Sequence, residues 1–306
     1  MKIYRNAPET WNEDGAQHAV AIGVFDGVHR GHAAVFRAIR EAAGDVPVCA
    51  LTFGVHPDGI VSPDTPSLLL ATLERRLELL EDAGLDAVAV IEFDTDVRHL
   101  TPEEFIATYL VAALRATTVS VGSGFRFGYG AEGTVDTLRL EGSTGGFDVV
   151  ETPIVQLHGT EVRSSAIRAA IGTGAVELAA RMLGRPFEIE GQVVEGDRRG
   201  RTIGFPTANI TMPAGLVRPA GGVYAVRCSL EGTTFDGVSN VGTRPTFGGG
   251  PETIEVHVLD TTIDMYGRTV LVEFIDRIRN EQHFTSVDAL VSQIEADIEV
   301  ARSILG

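Results

Sequence analysis

From Ala19 to about residue 185, short apolar runs alternate with segments of helical periodicity, and after Gly184-Arg185-Pro186 that alternation stops. The first part of the pattern leaves few folds open. Strands separated by helical crossovers pair in parallel, and a parallel sheet needs helices on both faces. Ala19-Val20-Ala21-Ile22-Gly23-Val24-Phe25 reads as a buried strand, followed by a helix with Val35, Phe36, Ile39 and Ala43 on one face. Residues 46–53 and 87–91 read as further strands. Between them Thr72 caps a helix bearing Leu73, Leu77 and Leu80 and closed by Gly84. Thr101-Pro102-Glu103-Glu104 is a cap, a first-turn proline and acids at another helix start, and residues 119–122 begin the next strand. The expected architecture is α/β and doubly wound.

Beyond residue 186 the texture is β-rich. Residues 187–194, 223–230, 234–241, 253–259 and 270–278 read as strands broken by Gly, Pro and Asp. Helical periodicity returns only at the end, where Ser286 caps a segment carrying Leu290, Ile294 and Ile298. Closely spaced strands with one late helix predict a small antiparallel barrel with a C-terminal helix. The boundary falls near 184–187, giving domains 1–185 and 186–306. There are no repeats or low-complexity tracts.

The bulk numbers support this reading and narrow the function. A chain of 306 residues that is 44% hydrophobic and 22% charged is globular rather than disordered or fibrous. No apolar run reaches the roughly 18 residues of a membrane span, and Met1-Lys2-Ile3-Tyr4-Arg5 opens no signal peptide. Cys49 and Cys228, far apart, suit a reducing cytoplasm. A net charge of -17 argues against nonspecific nucleic-acid or membrane-surface partners, both anionic. Lys2 is the only lysine, so any cation holding phosphate must be arginine, or the chemistry must rest on histidine and metal. The oligomeric state carries no signal.

Gly23-Val24-Phe25-Asp26-Gly27-Val28-His29-Arg30-Gly31-His32 spans the end of the first strand, a turn and the start of a helix. Gly27 and Gly31 allow main chain to approach a triphosphate, and the helix N-terminus offers N–H groups. The imidazoles of His29 and His32 can converge on charge developing at the α-phosphate and pyrophosphate oxygens. A His-x-x-His pair alone is common, and its setting on strand–turn–helix is what gives it weight.

The block resembles the HxGH signature of the nucleotidyltransferase superfamily, in the GxFDGxHxGH form of bacterial FMN adenylyltransferases. That resemblance implies a Rossmann-like domain and a nucleotide site including Gly23, Phe25, Asp26, Gly31, His29 and His32. Further segments agree in place. Thr52-Phe53-Gly54-Val55-His56-Pro57 resembles the family's TFxPHP, with Val55 for the first proline. Val121-Gly122-Ser123-Gly124-Phe125-Arg126-Phe127-Gly128 resembles VGxDFxFG, with Gly124 for the Asp or Asn. Val162-Arg163-Ser164-Ser165-Ala166-Ile167-Arg168 stands where the family has ISSTxxR, with Arg163 for the first Ser. It implies phosphate contacts at Ser164, Ser165 and Arg168. Arg163 either binds phosphate or blocks the site.

The second informative stretch runs Gly196-Asp197-Arg198-Arg199-Gly200-Arg201-Thr202-Ile203-Gly204-Phe205-Pro206-Thr207-Ala208-Asn209-Ile210. Arginines between glycines form a flap that can cover phosphates. A hydroxyl and a carboxamide two residues apart after a proline are hard ligands suited to Mg²⁺ shared with ATP. A Gly-Pro-Asn cluster is otherwise an ordinary surface turn. The stretch resembles the riboflavin kinase motif GxxxGRxxGFPTAN. The resemblance extends through Gly222-Val223-Tyr224, Asn240-Val241-Gly242-Thr243-Arg244-Pro245-Thr246-Phe247, Ile254-Glu255-Val256-His257 and Arg277-Ile278-Arg279-Asn280-Glu281-Gln282-His283-Phe284. It implies that Thr207 and Asn209 serve Mg–ATP, that Gly196 and Arg201 belong to the ATP flap, and that Glu255 is the general base. His257 reads as structural, and the 277–284 segment is expected on the flavin side.

The family resemblance therefore implies a bifunctional enzyme. Riboflavin and ATP give FMN at the C-terminal site, FMN and ATP give FAD and pyrophosphate at the N-terminal site, and Mg²⁺ serves both. The alternative is a riboflavin kinase whose adenylyltransferase half is weakened or inactive through Gly124, Val55 and Arg163.

Overall fold

The computed structural model describes residues 1–5, 7–11, 15–56, 67–196, 199–243, 252–261 and 263–306, with only the main chain of Arg199, Arg201, Thr243 and Glu252. Pro57, Asp197, Arg198 and the Arg244–Phe247 part of the motifs above lie outside the described residues. Two compact units divide the chain, Met1–Ser164 and Ser165–Gly306.

The first unit is built on a parallel six-stranded sheet ordered β1-β4-β3-β2-β5-β6. Its strands are β1 (Lys2–Tyr4), β2 (His18–Ile22), β3 (Val48–Phe53), β4 (Ala87–Ile91), β5 (Ala116–Gly122) and β6 (Asp148–Thr152). Every residue of β2 and β4 is buried, because both faces are covered. Ala19 and Ala21 face a core with Phe36 and Ile39 of α1 (Arg30–Ala43) and Leu80 of α2 (Leu73–Asp82). Val20 and Ile22 face a second core with Trp11, Leu110 and Leu114. This is why the strands read as unbroken apolar runs rather than alternating ones.

The helix ends follow their signals. The Thr72 hydroxyl accepts Arg75 N–H at 3.2 Å, and Gly84 follows α2 with φ +79°. Thr101 and Glu104 form a reciprocal box, at 3.2 and 2.9 Å, at the start of α3 (Pro102–Phe105). That helix continues in π form through Ile106–Ala113. β1, β6 and α4 (Val135–Gly145) were not legible, since β1 has three residues, β6 is polar at its ends and largely unburied, and α4 has a weak apolar stripe. A small hairpin, β7 (Gln156–Leu157) with β8 (Thr160–Glu161), completes the unit.

The first strand is shorter than its apolar run and stops at Ile22. A Cβ on Gly23 would meet the Phe25 ring at 2.9 Å, and Phe25, Gly27 and Val28 take φ of +53°, +77° and +39°. Three left-handed residues end the strand and begin the turn.

The second unit opens with the helical pair α5 (Ser164–Gly172, whose first residue belongs to the first unit) and α6 (Val176–Leu183). A closed antiparallel barrel follows, ordered β10-β13-β12-β11-β14-β9. Its strands are β9 (Phe187–Val194), β10 (Ala208–Thr211), β11 (Gly222–Leu230), β12 (Thr233–Thr243), β13 (Glu252–Val258) and β14 (Thr269–Arg279), with a helical turn α7 (Arg199–Thr202). Only β10 was hidden in the sequence, behind the Gly-Phe-Pro that precedes it.

Helix α8 (Val287–Leu305) starts where Ser286 Oγ accepts Ala289 N–H at 3.2 Å. It packs Ile298, Ala301 and Leu305 with Ala225 and Leu259 of the barrel. Arg279 of β14 clamps it. Its Nε donates to the two Asp297 carboxylate oxygens at 2.9 and 3.0 Å and its Nη2 donates at 2.8 Å. Gln293 adds a bond to the same carboxylate at 2.9 Å. Asp297 is only 3% exposed, so removing it strands a half-buried guanidinium.

Asp297→Ala is expected to destabilise the barrel unit by about 3 kcal/mol. Urea titration followed by far-UV circular dichroism measures this, with fluorescence of Trp11, the one tryptophan, reporting the sheet unit separately.

Candidate active sites

Two groups of the expected residues form cavities, one in each unit. In the sheet unit the C-terminal ends of β2 and β5 open a cavity of about 290 Å³ lined by Gly23, Phe25, His29, Gly31, His32 and Arg163, with Gly122–Phe125 and Ser164. Parallel sheets place ligands at this edge.

The two histidines cap α1 and each other. His29 Nδ1 accepts Gly31 N–H at 3.1 Å and His32 N–H at 3.3 Å, while His32 Nδ1 accepts His29 N–H at 3.3 Å. The rings stack with centroids 3.5 Å apart. With both Nδ1 atoms accepting, each neutral ring carries its proton on Nε2. This corrects the expectation that the helix N-terminus offers its amides to phosphate, because His29 has taken those of Gly31 and His32. Gly31 is required here: a Cβ would meet the His29 ring at 2.9 Å and the Val162 carbonyl at 3.2 Å.

Phe25 packs edge-on against His32, centroids 5.2 Å apart, and fixes that ring from the side. Asp26 is turned inward at 2% exposure; its carboxylate accepts Leu70 N–H at 2.8 Å and its carbonyl accepts the Ser164 hydroxyl at 3.0 Å. Ser164 is thereby tied to the turn. Ser165 and Arg168 belong to the second compact unit.

The three departures from the family pattern have different settings. Val55 is 48% exposed and does not line the cavity. Gly124 lines it with φ +79°, and a Cβ there would meet nothing within 4 Å. Arg163 stands on the cavity wall, half exposed, with its Nε donating to Glu161 Oε2 at 2.6 Å.

In the barrel unit β13 alternates between two cavities. Glu255 and His257 line one of about 350 Å³, while Val256 and Val258 line another of about 460 Å³. Thr207, just before β10, lines both and donates to Glu255 Oε2 at 3.4 Å. Glu255 pairs in register with Asn209 of β10 on one side and Asn240 of β12 on the other. Half-buried, it is not the solvent-facing residue its strand position alone suggests. His257 bonds through Nδ1 to the Pro206 carbonyl at 2.8 Å and stands edge-on to Phe205, consistent with a structural role.

Asn209 is buried, and main chain passes so close that a Cβ on Gly196 would fall on its carboxamide. A Cβ on Gly200 would fall on the Phe205 carbonyl. Gly196 thus lies directly against Asn209, and Gly200 directly against Phe205. Arg201 contributes only its main chain in α7 to the described structure.

The first barrel cavity also takes in the helix stripe that the sequence showed only as a packing face, Phe284 and Arg279 of the segment expected on the flavin side, and Asp297, which no sequence signal singled out. Leu290, Ile294 and Ile298 of α8 and Phe284 form its apolar wall, and the Arg279–Asp297 pair closes its edge. Asp297 sits at a helix position whose neighbours Ile294 and Ile298 announce only a core stripe. Asn240 lay within a quoted motif, but its place beside Glu255 needed the barrel register.

Comparison with known proteins accounts for both halves. A FAD synthetase family model matches residues 12–166 and a riboflavin kinase family model matches residues 183–305. The bifunctional riboflavin kinase/FMN adenylyltransferase of Escherichia coli (strain K12) is 41% identical over 309 residues, covering 100% of this chain and 98% of its own. That of Bacillus subtilis (strain 168) is 36% identical over 297 residues, covering 94% and 93%. The crystal structure of a macrolide-efflux protein from Streptococcus pneumoniae superposes with a TM-score of 0.90 at 33% identity, covering 99% of each chain. The chain belongs to the bifunctional riboflavin kinase/FMN adenylyltransferase family.

Proposed function

We propose that the chain phosphorylates riboflavin to FMN in the barrel unit and adenylylates FMN to FAD in the sheet unit, both with ATP. The observation that carries the reading is the row Asn209–Glu255–Asn240 with the Thr207 hydroxyl on Glu255. It sets a carboxylate beside hard phosphate-side ligands, with Thr207 bordering both barrel cavities, Glu255 and Asn240 lining the first, and Asn209 buried behind them.

The cavity walled by Phe284, Leu290 and Ile294 suits the flat, apolar isoalloxazine ring, with the ribityl chain running toward Glu255. The cavity walled by Val193, Met265 and Tyr266 suits the adenine of ATP. Thr207 borders both, so the γ-phosphoryl group and the ribityl 5′-hydroxyl meet beside it. Glu255 accepts the hydroxyl proton as the oxygen attacks phosphorus. The Thr207 hydroxyl and Asn209 carboxamide, closed in by Gly196, fit Mg²⁺ shared with the nucleotide. Bound there, the ion neutralises phosphate charge.

In the sheet unit the FMN phosphate attacks the α-phosphorus of ATP, and pyrophosphate leaves. No protein nucleophile is needed. The Nε2–H edges of His29 and His32, rigid because each ring is a helix cap, donate to the oxygens that gain charge. Within this unit Ser164 and the exposed face of Arg163 supply further phosphate contacts. Two buried free thiols accord with a reducing cytoplasm.

Purified protein given Mg–ATP and riboflavin is expected to yield FMN and then FAD, resolved by chromatography; FMN alone would support the weakened-transferase alternative. Glu255→Gln should lower FMN formation at least about a hundredfold and leave FMN-to-FAD conversion intact. His29→Ala should do the reverse, lowering FAD formation about a hundredfold; loss of kinase activity in it would contradict separate sites. Gly124→Asn, which fits a left-handed position and restores a side-chain donor, should raise kcat/KM for FAD formation about tenfold, worth ~1.5 kcal/mol.

A further inference from the structure

Beneath the nucleotide turn lies a buried arginine that the chemistry above does not use. Arg76, on α2, is 2% exposed. Its Nη1 donates to the Val24 carbonyl at 2.9 Å and its Nη2 to the Phe53 carbonyl at 2.5 Å. Those carbonyls stand just past β2 and at the end of β3, adjacent parallel strands whose C-terminal edge carries the cavity. The Thr52 hydroxyl donates to the same Val24 carbonyl at 2.9 Å.

We infer that Arg76 is a positioning residue for adenylyl transfer, its planar fork spanning the Val24 and Phe53 carbonyls so that the Phe25–His32 turn leaves the sheet from a fixed point. This rests on the adenylyl-transfer reading above.

The cost of the arrangement argues for a purpose beyond packing. Arg76 hydrogen-bonds to main-chain carbonyls rather than to a carboxylate, and its Nε is buried without a partner. Burial pushes its pKa down, with the nearby Asp26 and Glu74 charges opposing. An apolar side chain would fill the same space without that penalty. What it would not do is hold two carbonyls at once. The residue that follows Val24 is Phe25, at φ +53°, and a backbone so strained persists only where its surroundings over-determine it. Phe25 then fixes His32, and Asp26 fixes Leu70 and Ser164. A shift at Val24 is therefore passed to His32 and to Ser164. Lysine cannot replace the fork, since one ammonium is a point charge rather than a plane.

The test uses the full chain, with riboflavin phosphorylation in the same sample as the control for intact protein. FAD formation from FMN and Mg–ATP is measured well below each variant's unfolding temperature. Arg76→Met is expected to lower kcat for FAD formation at least about tenfold, leaving kinase kcat unchanged. Arg76→Lys should fall between Met and wild type. In Arg76→Ala, millimolar guanidinium should restore part of the lost kcat, a recovery that a merely stabilising role does not predict. Wild-type kcat in folded Arg76→Met overturns the inference. Where Arg76→Met does not fold, Arg76→Lys decides: unchanged kcat in it overturns the inference, and reduced kcat supports it. A wild-type chain that forms no FAD defeats the functional reading instead, which separates the two failures.

Discussion

The barrel closes through a strand of four residues. Ala208–Thr211 pairs with β9 on one side and β13 on the other, and without those ladders the sheet would have two open edges. The same register brings Asn209 opposite Glu255 and leaves Thr207 at the strand's mouth. Closure of the fold and assembly of the kinase site are thus one event. The tight fit of main chain against the Asn209 carboxamide explains why glycine stands at position 196.

The sheet unit solves a different problem. A strand buried on both faces must deliver its chain to solvent within a few residues, and it does so through left-handed residues at Phe25, Gly27 and Val28. Their strain is balanced by side chains that close on the turn from several directions: Asp26 on Leu70, Ser164 on the Asp26 carbonyl, and Arg76 from below. The imidazoles complete it by capping the helix that carries one of them. The site's rigidity comes from main-chain satisfaction more than from contacts among its catalytic side chains.

Much of this was legible in the residues. The parallel sheet followed from apolar runs alternating with capped helices, and the barrel from β-rich segments at short spacing. Thr72, Thr101 and Ser286 marked helix starts because their hydroxyls satisfy orphan N–H groups, a local interaction. What stayed hidden depends on partners distant in sequence. β10 shows no strand pattern on its own, and its pairing comes from β9 and β13. Asp297 looks like a polar residue in a core stripe until Arg279 arrives from another strand. The use of the α1 amides was misjudged because a histidine is a less familiar cap than serine or aspartate, and its ring had been assigned wholly to the ligand.

The sulfur chemistry of the chain is also decided by its packing. Cys49 lies in the sheet and Cys228 in the barrel, both free and buried, and burial pushes their thiols up to about 12 and about 11. They are the chain's only cysteines, so no thiolate stands at the surface near neutral pH. A catalyst that assembles redox cofactors thus carries no thiol switch of its own. Peroxide and disulfide reagents meet no exposed sulfhydryl on this chain.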